Sequence, residues 1–373
     1  MNAPFPFGFP WPTAFYLTLY VVTFAIHVAF MHYVIAGSSY LVTVAVRNRP
    51  VDPDRRGTLL RDWMPLMLSA AITAGVAPLL FVQILYQKPY YTANLLLFNR
   101  WMAILPALIV GFYLLYLLKS PLATRRGMWL RVVITAGAFG CFFFTGWSWT
   151  ENHLLSLQSN EVWAQHYAEG RTRFWTITLI PRLITWFAAA FPTLAIWLAW
   201  QIRLTADDDT ENHATVIGRL ALTAWIGMAI SVIAGIVLLV MDPPEVRQAV
   251  LGIAGIPWML LGIAGVAAQA IGWWQLRGVG RLSRSRLTII SAGCSASILA
   301  GAVLRELMRI SRLDIAAFYP KHAAAAEVGG LVVFLFFFAV NAVIIGYCIW
   351  LVRSADQLAP TDDAPAQDEV HSA

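Results

Sequence analysis

Within "FAIHVAFMHYVIAGSSYL", residues 24–41, His27 and His32 interrupt a stretch of apolar and small residues long enough to cross a membrane. An imidazole there ligates a metal or haem iron, relays a proton, or is satisfied by a hydrogen bond in the core. Five residues turn an α-helix by about 500°, so the two rings point about 140° apart and cannot share one ion. Separate jobs are expected. His27 shares its face with Met31 and lies near mid-membrane, where the ring must face protein or water. For His27, haem ligand, proton relay and hydrogen-bonded core residue all stay open. His32, deeper in the span, reads first as a core histidine and only beside His27 as a cofactor-binding position.

The other polar residues in apolar surroundings gather toward the opposite end of the spans. Arg182 in "LIPRLITWF" sits roughly 12 Å below the end of its helix, and a fixed charge there requires an acid, a carbonyl cluster or an anionic cofactor group. In "AVLRELMRISR", Arg305 and Arg309 are four residues apart and Glu306 and Arg309 three apart, an ion cluster able to lock helices together or conduct protons. Snorkelling arginines explain part of this without function, but not Glu306. The segment "GWSWTENHLLSLQSNEVWAQHYAEGR", 146–171, is rich in Trp, Asn and His and contains His153. It is expected to lie at the interface, covering a cofactor or docking a partner.

Spans must hold these groups, and composition supplies them. Of 373 residues, 59% are hydrophobic and 12% charged, with mean hydropathy +0.66, which defines an all-α integral membrane protein. At about 20 residues per crossing, nine transmembrane helices are expected at about 13–45, 62–86, 95–118, 128–150, 174–202, 216–241, 250–276, 287–309 and 325–352. Together they make a membrane domain over 1–353, followed by an acidic, Pro- and Ala-rich tail at 354–373 expected to be disordered. The start, "MNAPFPFGFPWP", lacks a basic n-region and a small-residue cleavage site, so no removable signal peptide is expected.

Sixteen of the 26 Lys and Arg flank one side, in loops holding Arg47, Arg49, Arg55, Arg56, Arg61, Arg125, Arg126 and "RGVGRLSRSR". The positive-inside rule then puts the N-terminus outside and the C-terminus in the cytoplasm. The net charge of +6 thus reports topology rather than nucleic-acid binding. Cys141, Cys294 and Cys348 all fall within spans, with no CxxC or CxxCH, so they read as packing residues and the chain attaches no c-type haem itself. No Gly-rich phosphate loop or HExxH is present.

The order of these features is familiar. The span-one histidine in "IHVAFMHYVIAGSSYL", the Asn-rich turn "WTENHLLSL" after span four, the "PRLIT" start of span five and the charged end "LRELMR" of span eight resemble subunit I of cytochrome bd quinol oxidases. The likeness covers most of the chain and is nearest to the short forms that accompany c-type cytochromes. It implies bd-type four-helix bundles in a bacterial inner membrane, b-type haem near the outer surface, and quinol oxidised there with release of protons. His27 matches the span-one haem ligand, and Glu306 and Arg309 match the acid and arginine ending span eight.

Three departures stand beside it. Thr185 occupies the position of the span-five haem histidine, spans two and three contain no glutamate, and the long quinol-binding loop after span six is reduced to "MDPPEVRQ". The resemblance, so qualified, implies a membrane subunit of a respiratory complex passing electrons between quinol and a periplasmic c-type cytochrome or other redox subunit, with at most one or two b haems. His27 would ligate iron, Arg182 would hold a haem propionate or quinone oxygen, and Glu306, Arg309 and His153 would handle protons. The alternatives are a haem-free anchor subunit and a bd-type quinol:oxygen oxidoreductase; a transporter lacks support, because no inverted repeat is evident.

Overall fold

Backbone amides in hydrocarbon must be satisfied within their own segment, and the apolar runs accordingly form helices. The computed structural model describes residues 3–47, 55–120, 123, 127–205, 213–328 and 330–358, and no strand occurs among them. In order the helices are α1 (Trp11–Val46), α2 (Arg55–Leu85), α3 (Gln87–Leu96), α4 (Phe98–Met102), α5 (Ile104–Lys119), α6 (Met128–Ser156), α7 (Asn160–Ala168), α8 (Leu179–Thr205), α9 (His213–Met241), α10 (Pro244–Leu251), α11 (Ile256–Val279), α12 (Arg284–Ile310), α13 (Tyr319–Glu327) and α14 (Gly330–Leu358). Among the described residues eight helices are long and apolar enough to cross a membrane, or nine if the broken pair Ile315–Glu327 and Val332–Val340 counts as one span. The chain is a helical, multi-pass membrane protein. Large apolar side chains such as Leu105, Tyr113, Ile233 and Ile263 stand exposed, as lipid-facing residues do.

The chain divides into a large unit, Met1–His322, and a C-terminal unit, Ala323–Ala373. In the large unit α1 is the central element, packing along α2, α6, α8 and α12, while α8 pairs with α9 and α11 with α12. The C-terminal unit contains α14, an apolar helix that reaches five residues into the expected tail. The remainder of that tail, together with Arg49, Arg125 and Arg126 of the basic loops, lies outside the described residues.

Two expected boundaries differ. Span three is itself broken, its first turn forming the separate α4 with α3 ahead of it, and span four continues six residues past its expected end, to Ser156. The extension persists because its polar side chains find partners: Asn152 donates to Asn94 Oδ1 at 2.7 Å, and Arg100 pairs with Glu151 at 3.1 Å. Only α7, capped by the Ser159 side chain, forms a separate amphipathic piece, with Trp163 and His166 buried and Tyr167 exposed.

Helices α11 and α12 touch backbone to backbone at Gly265 and Gly293. A Cβ on Gly265 would lie 2.5 Å from the Gly293 carbonyl oxygen and 2.6 Å from Ser297 Oγ. Replacing Gly265 by Ala should therefore destabilise the protein by about 1–3 kcal/mol through overpacking. Gly278→Ala, on the same helix with no neighbour within 4 Å, should be neutral or slightly stabilising. Unfolding in detergent, followed by tryptophan fluorescence, compares the two; equal stabilities would contradict the close crossing.

Candidate functional site

Arg309, the penultimate residue of α12, organises the polar groups at this end of the bundle. Its Nη1 lies 3.3 Å from Glu306 Oε2 and donates to the Tyr20 hydroxyl at 3.4 Å, and its Nη2 donates to His153 Nδ1 at 3.0 Å. The guanidinium also stacks over the rings of Tyr86, 4.8 Å away, and Tyr20, 5.5 Å away. Tyr86 donates its hydroxyl proton to Glu306 Oε1. Burial above all, with Glu306 beside it, pushes the Tyr86 hydroxyl well above its ordinary pKa, so it keeps the proton it donates. Arg305 adds a 2.8 Å bond to Tyr20 and lies 4.7 Å above the Phe24 ring. Glu306, His153, Arg309 and Tyr20 are all buried. Residues from α1, α6 and α12, with Tyr86 just after α2, thus meet at one guanidinium.

Because arginine only donates, His153 Nδ1 must accept, and the neutral ring then carries its proton on Nε2. That buried Nε2 has no hydrogen-bond partner. Nearby, Arg182 Nη2 faces Asp242 Oδ2 at 3.7 Å, too far for a hydrogen bond. Burial pushes the Asp242 carboxyl up, against the pull of Arg182 and Arg312. Of the three partners that sequence permits for Arg182, the fold supplies an acid.

The two span-one histidines face different helices, as their spacing requires. His27 Nδ1 lies 2.8 Å from the Ala71 carbonyl oxygen of α2. A carbonyl only accepts, so Nδ1 carries the proton and Nε2 keeps its lone pair. Gly75 lies flush against the ring, where a Cβ would come within 3.0 Å of Cε1 and Nδ1. His32, by contrast, is buried with Nδ1 3.0 Å from Thr193 Oγ1, itself 3.5 Å from Cys294 Sγ. This links α1, α8 and α12. Thr185 spends its hydroxyl on the Pro181 carbonyl at 2.8 Å.

His322, absent from the sequence-derived site, is fully buried, with Nδ1 2.9 Å from Thr13 Oγ1 and Nε2 3.1 Å from the Leu85 carbonyl oxygen. Both ring nitrogens are engaged, which makes it a structural pin.

Sequence expectation joins Glu306, Arg309 and His153, and the fold brings these three together. It places Arg182 beside Asp242 and separates His27 from His32. Tyr20, Tyr86 and Asp242 were not anticipated. Tyr20 lies seven residues, two helical turns, before His27, and Asp242 is the acid closing span six, so these two carried a positional signal and Tyr86 did not. Among the described residues no group of three or more His, Cys, Asp or Glu could hold a metal ion. The chain matches no protein-family model, no curated protein and no solved structure.

Removing Arg309 leaves Glu306 charged and buried without its counter-ion. Arg309→Met should cost about 3–5 kcal/mol, and adding Glu306→Leu should restore part of it, since breaking a buried pair is worse than deleting it. Unfolding of the two single variants and the double variant measures the coupling; additive losses would contradict a direct pair.

Proposed function

We propose that this protein is the membrane subunit of a respiratory electron-transfer complex, exchanging electrons between membrane quinol and a periplasmic c-type cytochrome or other redox subunit. It sits in a bacterial inner membrane as nine spans with the N-terminus outside. The observation that carries the reading is His27: its Nδ1–H is held by the Ala71 carbonyl and its Nε2 is left with a free lone pair. That is the tautomer and second-shell bond an iron-ligating imidazole requires. His27 would hold the iron of a b-type haem through Nε2. The second family position does not fit, because Thr185 has no ring nitrogen and its hydroxyl is bonded to its own helix.

A haem bound there would supply one-electron transfer at mid-membrane. The chain's own contribution is orientation and proton handling. Ala71 and Gly75 fix the His27 ring. Quinol loses two protons as it is oxidised, and Glu306 is the buried carboxylate at the outer end able to accept one: Tyr86 holds one of its oxygens and Arg309 neutralises it. His153, on the far side of Arg309, accepts from its Nη2 and holds the guanidinium in position beside Glu306.

A haem-free anchor subunit is favoured by the loss at Thr185 alone, and an optical spectrum decides. The purified complex should show a b-type Soret band. His27→Ala should remove most of it, while His32→Ala and His322→Ala should retain most. Absence of haem from correctly folded wild type would leave the anchor reading. Glu306→Gln should slow quinol oxidation about 100-fold or more with haem content retained, the loss expected of a missing proton acceptor. Topology has its own check: a reporter fused after Arg353 should be active in the cytoplasm only, and periplasmic activity would reverse the orientation.

A further inference from the structure

The charges around His153 do not cancel. Arg182, Arg305, Arg309 and Arg312 all act electrostatically on this ring, and Arg305, Arg309, Arg312 and Asp242 act on Arg182, so these groups form one neighbourhood. Asp242 answers Arg182 and Glu306 answers Arg309. Asp242 also acts on Arg312, but among the described residues no ion pair joins Arg305 or Arg312 to a carboxylate, so four arginines face two carboxylates. Several donors there are also unspent. His153 Nε2 is buried and unpartnered on the side of the ring away from Arg309, Arg182 Nε is buried and unpartnered, and the Arg182–Asp242 contact is too long to be a hydrogen bond. An uncompensated cluster of this kind at the end of a membrane bundle costs free energy unless an anion completes it.

We propose that this cluster binds a phosphate-type oxyanion between the outer ends of α6, α8 and α12. The donors stand on three elements, His153 on α6, Arg182 on α8, and Arg305 with Arg312 at and just beyond the end of α12. Approach from three elements suits a tetrahedral anion better than a planar carboxylate, and guanidinium groups are the preferred partners of phosphate oxygens. Arg305 and Arg312 are only partly buried and form the open side, while His153 is the inner donor. The same chemistry is offered by free phosphate and by the headgroup of an anionic phospholipid. The site is separate from His27 and needs no haem.

The test uses the full-length protein in nanodiscs and follows thermal unfolding. In one arm, phosphatidylcholine discs are titrated with inorganic phosphate at constant ionic strength, against chloride. In the other, phosphatidylglycerol replaces part of the phosphatidylcholine without added phosphate. A saturable rise in Tm in the first arm identifies a free oxyanion, and a rise in the second alone identifies the lipid phosphate. In whichever arm responds, Arg312→Gln should raise the ligand concentration needed about tenfold or more, the loss of one charged hydrogen bond. Arg312 is partly exposed, so the variant should fold. The proposal is overturned if neither arm shifts the wild type, if Arg312→Gln responds like wild type, or if phosphate acts only on haem-free His27→Ala protein. That last result would assign the donors to a haem carboxylate.

Discussion

A buried guanidinium cannot be left alone in a low-dielectric interior, and one end of the helix bundle is arranged around that constraint at Arg309. Its ion pair to Glu306, its bonds to Tyr20 and His153 and its stacking on Tyr86 draw together α1, α6, α12 and the end of α2. The extension of α6 past its expected end follows from the same demand. His153 lies in that extension, one turn from its end, and stopping the helix earlier would release Arg309's acceptor. Asn152 and Glu151, the two residues before His153, are held by Asn94 and Arg100.

Toward the membrane centre the polar content falls to single, locally satisfied groups. His27 borrows a backbone carbonyl of α2, His32 a threonine of α8, and Tyr33 the amide oxygen of Gln201 on α8. Each bond crosses between helices, so each fixes their relative rotation as well as satisfying a donor. In hydrocarbon such bonds matter mainly for this directional specificity, because apolar packing discriminates weakly between one rotation and another. The cluster around Arg309 differs in kind, since it concentrates charge and retains unspent donors beside satisfied ones. A purely structural lock would have closed its hydrogen bonds, as His322 does with Thr13 and Leu85.

Much of this was legible in the chain. Run length and composition lead to nine expected helical spans, and eight helices among the described residues are long and apolar enough to cross a membrane, nine if the broken pair counts as one. Helical angle alone separates His27 from His32, and local spacing alone pairs Glu306 with Arg309. Which groups lie opposite these side chains is a different matter. Asp242 is 60 residues from Arg182, His153 is 156 from Arg309 and Glu306 is 220 from Tyr86. Spacing along one helix cannot report such pairings, which depend on how helices are rotated and how far each extends. The tautomer of His27 was likewise undetermined until α2 presented the Ala71 carbonyl to its ring. Only the tertiary structure decided these, because hydrogen bonds and ion pairs act over a few ångströms in space, whatever the distance along the chain.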